Sequence, residues 1–305
     1  MAVTASTGPS GSATLAGMMN LKSSLSCLFA AGSAALLAGC ITLPPSVPAD
    51  PALLRQGITL ERALPSTLPD KAVPIPHAQL VLLPTESAAG LLMPIPFVAE
   101  AIEGAVNQTA ANAYESRWAQ IHPFRVALAE LQASPLYRAT GGAVTVKPFA
   151  FVQACADDRY RVALVLHATA GDWTGRYMAH LPSTYSADET ARPGPAMVAR
   201  LSEELKIAAG QLRTVLERAA QGELQTAARK ADVGSLHLVC GRSIGLISPN
   251  LMVVRGAEVI EESADTVLVR MPGDVSHAAA LGGLYFGVHL LRKDQLHTFK
   301  PVSSK

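Results

Sequence analysis

The chain has 305 residues, is 49% hydrophobic and 16% charged, and carries a formal net charge of +1. That length suits one large domain or two small ones around a sizeable core. The near-neutral balance argues against a basic nucleic-acid-binding surface at the level of net charge.

Read from Met18, the N-terminus has three zones. Met18, Met19, Asn20, Leu21 and Lys22 form a short basic start, and Lys22 is the only charge in residues 1–39. An apolar stretch rich in Ala, Leu and Phe follows over residues 25–37, and Leu37-Ala38-Gly39-Cys40 closes it. This is the order of a secretory signal. The apolar run ends at Gly39, too short to span a bilayer as a helix, which takes ~20 residues. Leu37-Ala38-Gly39-Cys40 resembles the lipobox of bacterial lipoproteins, and the resemblance covers the signal and Cys40 alone. It implies cleavage between Gly39 and Cys40, a diacylglyceryl thioether on the Cys40 thiol, and an acyl chain such as palmitate on the new amine. Ala38 and Gly39 are small enough to enter a peptidase site. One acyl chain binds a membrane marginally, and each buried CH₂ adds ~0.8 kcal/mol, so three chains anchor firmly. In a Gram-negative host, Ile41 in place of Asp implies the outer membrane, on its periplasmic side. Residues 1–17 are uncharged and lie outside this plan, so translation starting at Met18 or Met19 is the alternative.

Three regions follow: a signal over 1–39, a lipidated N-terminus with a proline-rich tether over 40–77, and a globular domain over 78–305. Eight prolines punctuate residues 44–76. Proline lacks a backbone donor and fixes φ, which disfavours long helices and central strands there. An extended tether is expected, with a turn of helix near Leu53 and Arg55. Packing of the segment from Ile58 onward against the domain is the alternative. In the domain, residues 79–83 read as a strand and residues 97–118 as a helix, with Val98, Ile102, Ala105, Thr109 and Ala113 at helical spacing. Pro123 opens a second helix through Val126, Leu128 and Leu131. Residues 144–154, 160–168 and 173–181 read as an antiparallel meander with one face better buried than the other. Its turn at Gly171 and Asp172 sets His167 opposite Arg176. A long helix over 195–221 carries a stripe of Met197, Leu201, Leu205, Ala208, Leu212 and Leu216, with Gly222 beyond its end. It is expected to lie across the sheet. Strands are expected again at 235–240, 251–255, 266–271, 284–291 and 296–300, with a hairpin turn at 292–295. The expected fold is α+β: an antiparallel meander packed by two or three helices.

Four cysteines occur. With Cys27 in the signal and Cys40 lipidated, Cys155 and Cys240 remain. They either form a disulfide, as an oxidising envelope compartment permits, or stay as buried thiols. Gly241-Arg242-Ser243-Ile244-Gly245 matches the G-x-S-x-G elbow that presents a serine nucleophile. Asp265 or Asp274, then His277, His289 or His297, follow in the order such a triad needs. Against it, Pro249 would break the helix that should follow, and the preceding sheet reads antiparallel. A bend between strands is expected instead. The histidines, His77, His122, His167, His180, His237, His277, His289 and His297, show no metal-ligand spacing. His167 and His180 read as surface or half-buried sheet residues. Residues 90–98 form the most apolar stretch of the mature chain, read as a buried connection or as an exposed loop touching lipid, an acyl ligand or a partner.

The sequence therefore points to a lipid-anchored, periplasm-facing envelope lipoprotein. It is expected to be non-catalytic, to bind another envelope component, and to need no cofactor beyond the lipid on Cys40. A lipid-anchored esterase using Ser243 and a carrier of an apolar ligand are the alternatives.

Overall fold

The computed structural model describes residues 46–68, 72–83, 118, 120–155, 157, 159–227, 229–238, 253–272 and 286–302. The signal and its Gly39–Cys40 junction, the expected helix over 97–118 apart from Trp118, the apolar stretch at 90–98, Cys240, Ser243 and His277 lie outside them.

The fold is α+β, with an eleven-stranded mixed sheet and four helices among the described residues. In chain order the elements are α1 (Pro51–Arg55), β1 (Ile58–Leu60), β2 (Val73–Ile75), β3 (Leu80–Leu83), α2 (Pro123–Leu131), β4 (Val144–Ala154), β5 (Arg159–Ala170), β6 (Trp173–Ser186), α3 (Ala187–Ala191), α4 (Pro195–Ala220), β7 (Arg229–Ser235), β8 (Val253–Glu262), β9 (Thr266–Met271), β10 (Gly287–Arg292) and β11 (Leu296–Pro301). The strand order is β11-β7-β8-β9-β10-β6-β5-β4-β3-β2, with β1 also on β4.

The expected antiparallel meander is present as β4-β5-β6 but is only the middle of the sheet. Gly171 takes φ +56° in the β5–β6 turn, and His167 faces Arg176 in the register the turn imposes. β1 and β3 join β4 in parallel, and β10 joins β6 in parallel. Parallel neighbours come from distant chain segments, which local alternation does not reveal. Where one face of the meander was expected to be better buried than the other, both are buried. Leu164, Leu166 and Ala168 enter the core under the helices, while Val165 packs on the opposite face with Phe149, Phe151 and Met178.

α4 lies on the first of these faces, and its expected stripe from Met197 to Leu216 is buried. Each such leucine removed from water contributes ~2 kcal/mol, and this packing, rather than intrinsic propensity, stabilises the helix. Gly222, at φ +86°, ends it as a left-handed cap residue. α2 packs beside α4, where Arg213 Nη1 donates to the Glu130 carbonyl at 3.2 Å.

β7 to β11 enclose a second core of Val233, Val259, Val267, Val269, Met271 and Leu291. Register shifts in the β7–β8 and β8–β9 pairs and φ +67° at Gly256 bend β8 through this subassembly. The expected hairpin at 292–295 is corrected here. Residues Lys293–Gln295 form a 3₁₀ turn that carries the chain over to β7, and β11 pairs there rather than with β10. The turn is fixed from outside: Lys293 N donates to the Asp265 carbonyl at 2.8 Å and Gln295 Nε2 to the Leu181 carbonyl at 2.9 Å. The strand expected at 235–240 lies earlier, over Arg229–Ser235, and the chain turns at 236–238.

Within residues 46–68 and 72–77 the expected tether is corrected, and the alternative of packing from Ile58 onward is what the structure has. Leu54 and Ile58 are fully buried in the main core, and β1 pairs with β4. Proline excluded long elements there but not short ones: Pro51 opens α1, and Pro74 sits in the edge strand β2.

Candidate functional site

Two places gather chemistry that the fold alone does not require. The first is the seat of the N-terminal arm. Asp50 caps α1 by accepting from Ala52 N at 2.8 Å. Just before it, residues 46–49 run between β6 and the turn after α4. Trp173 Nε1 donates to the Val47 carbonyl at 3.2 Å, and Gln225 Nε2 to the Ala49 carbonyl at 2.8 Å. Ala49 is buried, whereas Val47 stays 66% exposed, the most exposed large apolar side chain among the described residues. Trp173 lies against Gly175, where an added Cβ would come 2.7 Å from the indole Cη2, so glycine is what admits the ring. The cavity left beside the arm has about 20 Å³, room for a single water. Arg270 lies on its wall, paired to Glu258 at 2.6 Å and donating to the Leu224 carbonyl.

The second is a buried histidine cluster. Parallel pairing sets Met178 of β6 beside His289 of β10. His180, two residues along the same face of β6, then meets His289 with its Nε2 3.0 Å from the His289 Nδ1. Their rings stack at 5.3 Å and 11°, and His237, in the turn after β7, stands edge-on to His180 at 6.2 Å. A hydrogen bond between two imidazole nitrogens needs at least one ring neutral there. Burial, then the charges of His289 and His237, hold His180 well below the usual histidine range. Burial, then the Arg161 guanidinium, pulls His237 down to about 4. Arg161 is itself held by Asp157 through two contacts of 2.9 and 2.8 Å, and this keeps the Asp157 carboxyl below its ordinary value.

On the same face of β5 and β6, Arg176 Nε donates to His167 Nδ1 at 3.5 Å. His167 accepts there and is therefore neutral; burial, then Arg176, pulls it down to about 3. Burial also lowers Arg176 to about 10, and its guanidinium lies over the Phe151 and Phe286 rings at 5.9 and 5.8 Å. Both His167 and His180 are buried, which corrects the surface or half-buried expectation. The β5 and β6 faces they occupy are enclosed on both sides.

No set of three His, Cys, Asp or Glu among the described residues is arranged to hold a metal. His77, His122 and His297 lie elsewhere: after β2, before α2 and on β11. Cys155 is buried and disulfide-bonded, and Cys27, Cys40 and Cys240 all fall outside the described residues. No protein-family model, curated protein or solved structure matches this chain. The pairing of His180 with His289 spans 109 residues and has no local signature. The alternation puts His167 and His180 on strands, but β10, which brings His289 to His180 on β6, comes from the far end of the chain.

Proposed function

We propose that the chain is a lipid-anchored lipoprotein of the bacterial cell envelope, held by lipid on Cys40, whose α+β body binds another envelope component rather than catalysing a reaction. The observation that carries the anchoring is where the body begins. Residue 46 is already against β6, six residues past Cys40. Cleavage before Cys40 would thus leave every strand and helix described above in the mature chain. In a Gram-negative host Ile41 favours the outer membrane, facing the periplasm.

The disulfide at Cys155 supports an oxidising compartment. We assign its partner to Cys240, because Cys27 leaves with the signal and Cys40 carries the lipid. The esterase alternative is weakened by the end of β7 at Ser235, since an elbow at Gly241–Gly245 needs a strand running directly into it.

Metabolic labelling with an alkynyl fatty acid tests the anchor. Labelling is expected in the natural chain and absent in Cys40→Ala; undiminished labelling of the variant would refute it. A serine-directed fluorophosphonate probe is expected to leave Ser243 unmodified, and adduct formation there would make the esterase the better reading. Lipid extraction with mass spectrometry separates the carrier reading. Cross-linking in intact cells, followed by purification from detergent-solubilised envelopes, reads out the bound component.

A further inference from the structure

We infer that the end of the body formed by Val47, the Gly171 and Asp172 turn and Trp173 is its membrane-facing surface, held against the lipid headgroups by the shortness of the N-terminal arm. This rests on the lipid anchor at Cys40 proposed above. Covalent reach limits how far the body can move from its anchor. Six Cα-to-Cα steps separate Cys40 from Ser46, and a chain spans at most ~3.6 Å per step, so Ser46 lies within about 22 Å of the lipidated cysteine in any conformation. A body of about 260 residues has a radius of gyration of about 18 Å and is therefore some 45 Å across. The arm is too short to let the body turn this end away from the bilayer.

The chemistry of that end agrees. Val47 exposes 66% of its surface beside Trp173, whose indole N–H is already satisfied by the Val47 carbonyl. Trp173 stays partly exposed, and an indole with an apolar body suits the membrane–water boundary. Gly171 takes φ +56° with nothing within 4 Å of an added Cβ, and Gly171 and Asp172 are both exposed. Charges of both signs lie nearby: Asp50 caps α1, Glu223 pairs with Arg218 at 2.7 Å, and Arg55 donates to the Ala220 carbonyl, so no single sign draws this end to anionic lipid. The contact is therefore a consequence of tethering and not of independent lipid affinity.

Hydroxyl-radical labelling with mass spectrometry tests this on the mature lipidated protein in vesicles of phosphatidylethanolamine and phosphatidylglycerol. The reference is the unlipidated Cys40→Ser chain with the same vesicles. Val47 and Trp173 are expected to lose labelling severalfold in the lipidated protein. Ile207, exposed on α4 about 18 Å along the helix from Ala219, is expected to be unchanged. Inserting about 20 Gly and Ser residues after Pro45 adds roughly 25 Å of mean reach and should restore labelling while the lipid remains. Equal labelling of Val47 and Trp173 in both forms overturns the proposal. Protection that survives the spacer overturns the claim that arm length holds the face. Intact mass distinguishes the two failures: an unmodified Cys40 removes the anchor and this inference together, whereas a lipidated but unprotected chain removes this inference alone.

Discussion

At the residue scale, the buried histidines make stability depend on pH with a definite sign. His167 at about 3, His237 at about 4 and His180, held well below its ordinary value, are neutral in the fold because burial opposes their charge. The unfolded chain binds protons below about pH 6.5, and the folded chain does not until these lower values. Stability is therefore expected to be level above pH 6.5 and to fall from there toward pH 4. Each such histidine contributes about 1.4 kcal/mol per pH unit within that window. Urea midpoints at pH 7, 6 and 5 measure it, and identical midpoints would mean that water reaches these rings. Cys155 makes a second residue-scale prediction. Peptide mapping without reductant should recover it joined to Cys240, and Cys155→Ser should lower the unfolding free energy in oxidised but not in reduced samples, by about 2–4 kcal/mol, as is typical of a disulfide. A mixed disulfide with a small thiol at Cys155 would refute the pairing.

At the scale of elements, the parallel join of β6 to β10 turns on Gly287. Its φ is +118°, and an added Cβ would run into the Arg176 backbone carbonyl oxygen. Neither neighbour can yield without opening the pairing, so Gly287→Ala should cost more than about 2 kcal/mol. Gly171→Ala is the control: φ is also positive, but nothing lies within 4 Å, and a cost of about 1 kcal/mol is expected. Denaturant titration reads both, and equal losses would mean that backbone strain rather than the clash decides. α4 offers a parallel contrast. Leu212 is 1% exposed and Ile207 is 55% exposed. Leu212→Ala should destabilise by about 3 kcal/mol through the cavity it leaves, and Ile207→Ala by less than about 0.5 kcal/mol. A comparable loss at Ile207 would point to a contact made by that side chain outside the described residues.

At the scale of the whole molecule, the N-terminal arm belongs to the core. A mature chain lacking residues 46–57 loses the fully buried Leu54, the α1 cap and both arm hydrogen bonds. Several kcal/mol of stability should go with them, whereas removal of a free tether would leave the melting curve unchanged. Calorimetry of the two chains decides between these outcomes. Features with a local cause are legible in the amino-acid sequence. The basic start, apolar run and Leu37-Ala38-Gly39-Cys40 define the expected anchor, and three turn and cap signals delimit real elements: Gly171 in the β5–β6 turn, Pro123 opening α2 and Gly222 ending α4. The Met197-to-Leu216 stripe likewise identified which face of α4 is buried, because helical period and burial coincide. Which strands are neighbours became visible in the fold alone. β1 and β3 pair in succession along the edge of β4 that β5 leaves open, β10 joins β6, and β11 returns to β7, and the β6–β10 join brings His289 to His180. The physical reason is that strand alternation reports which way a side chain points, while the identity of the facing strand depends on how distant segments share one core.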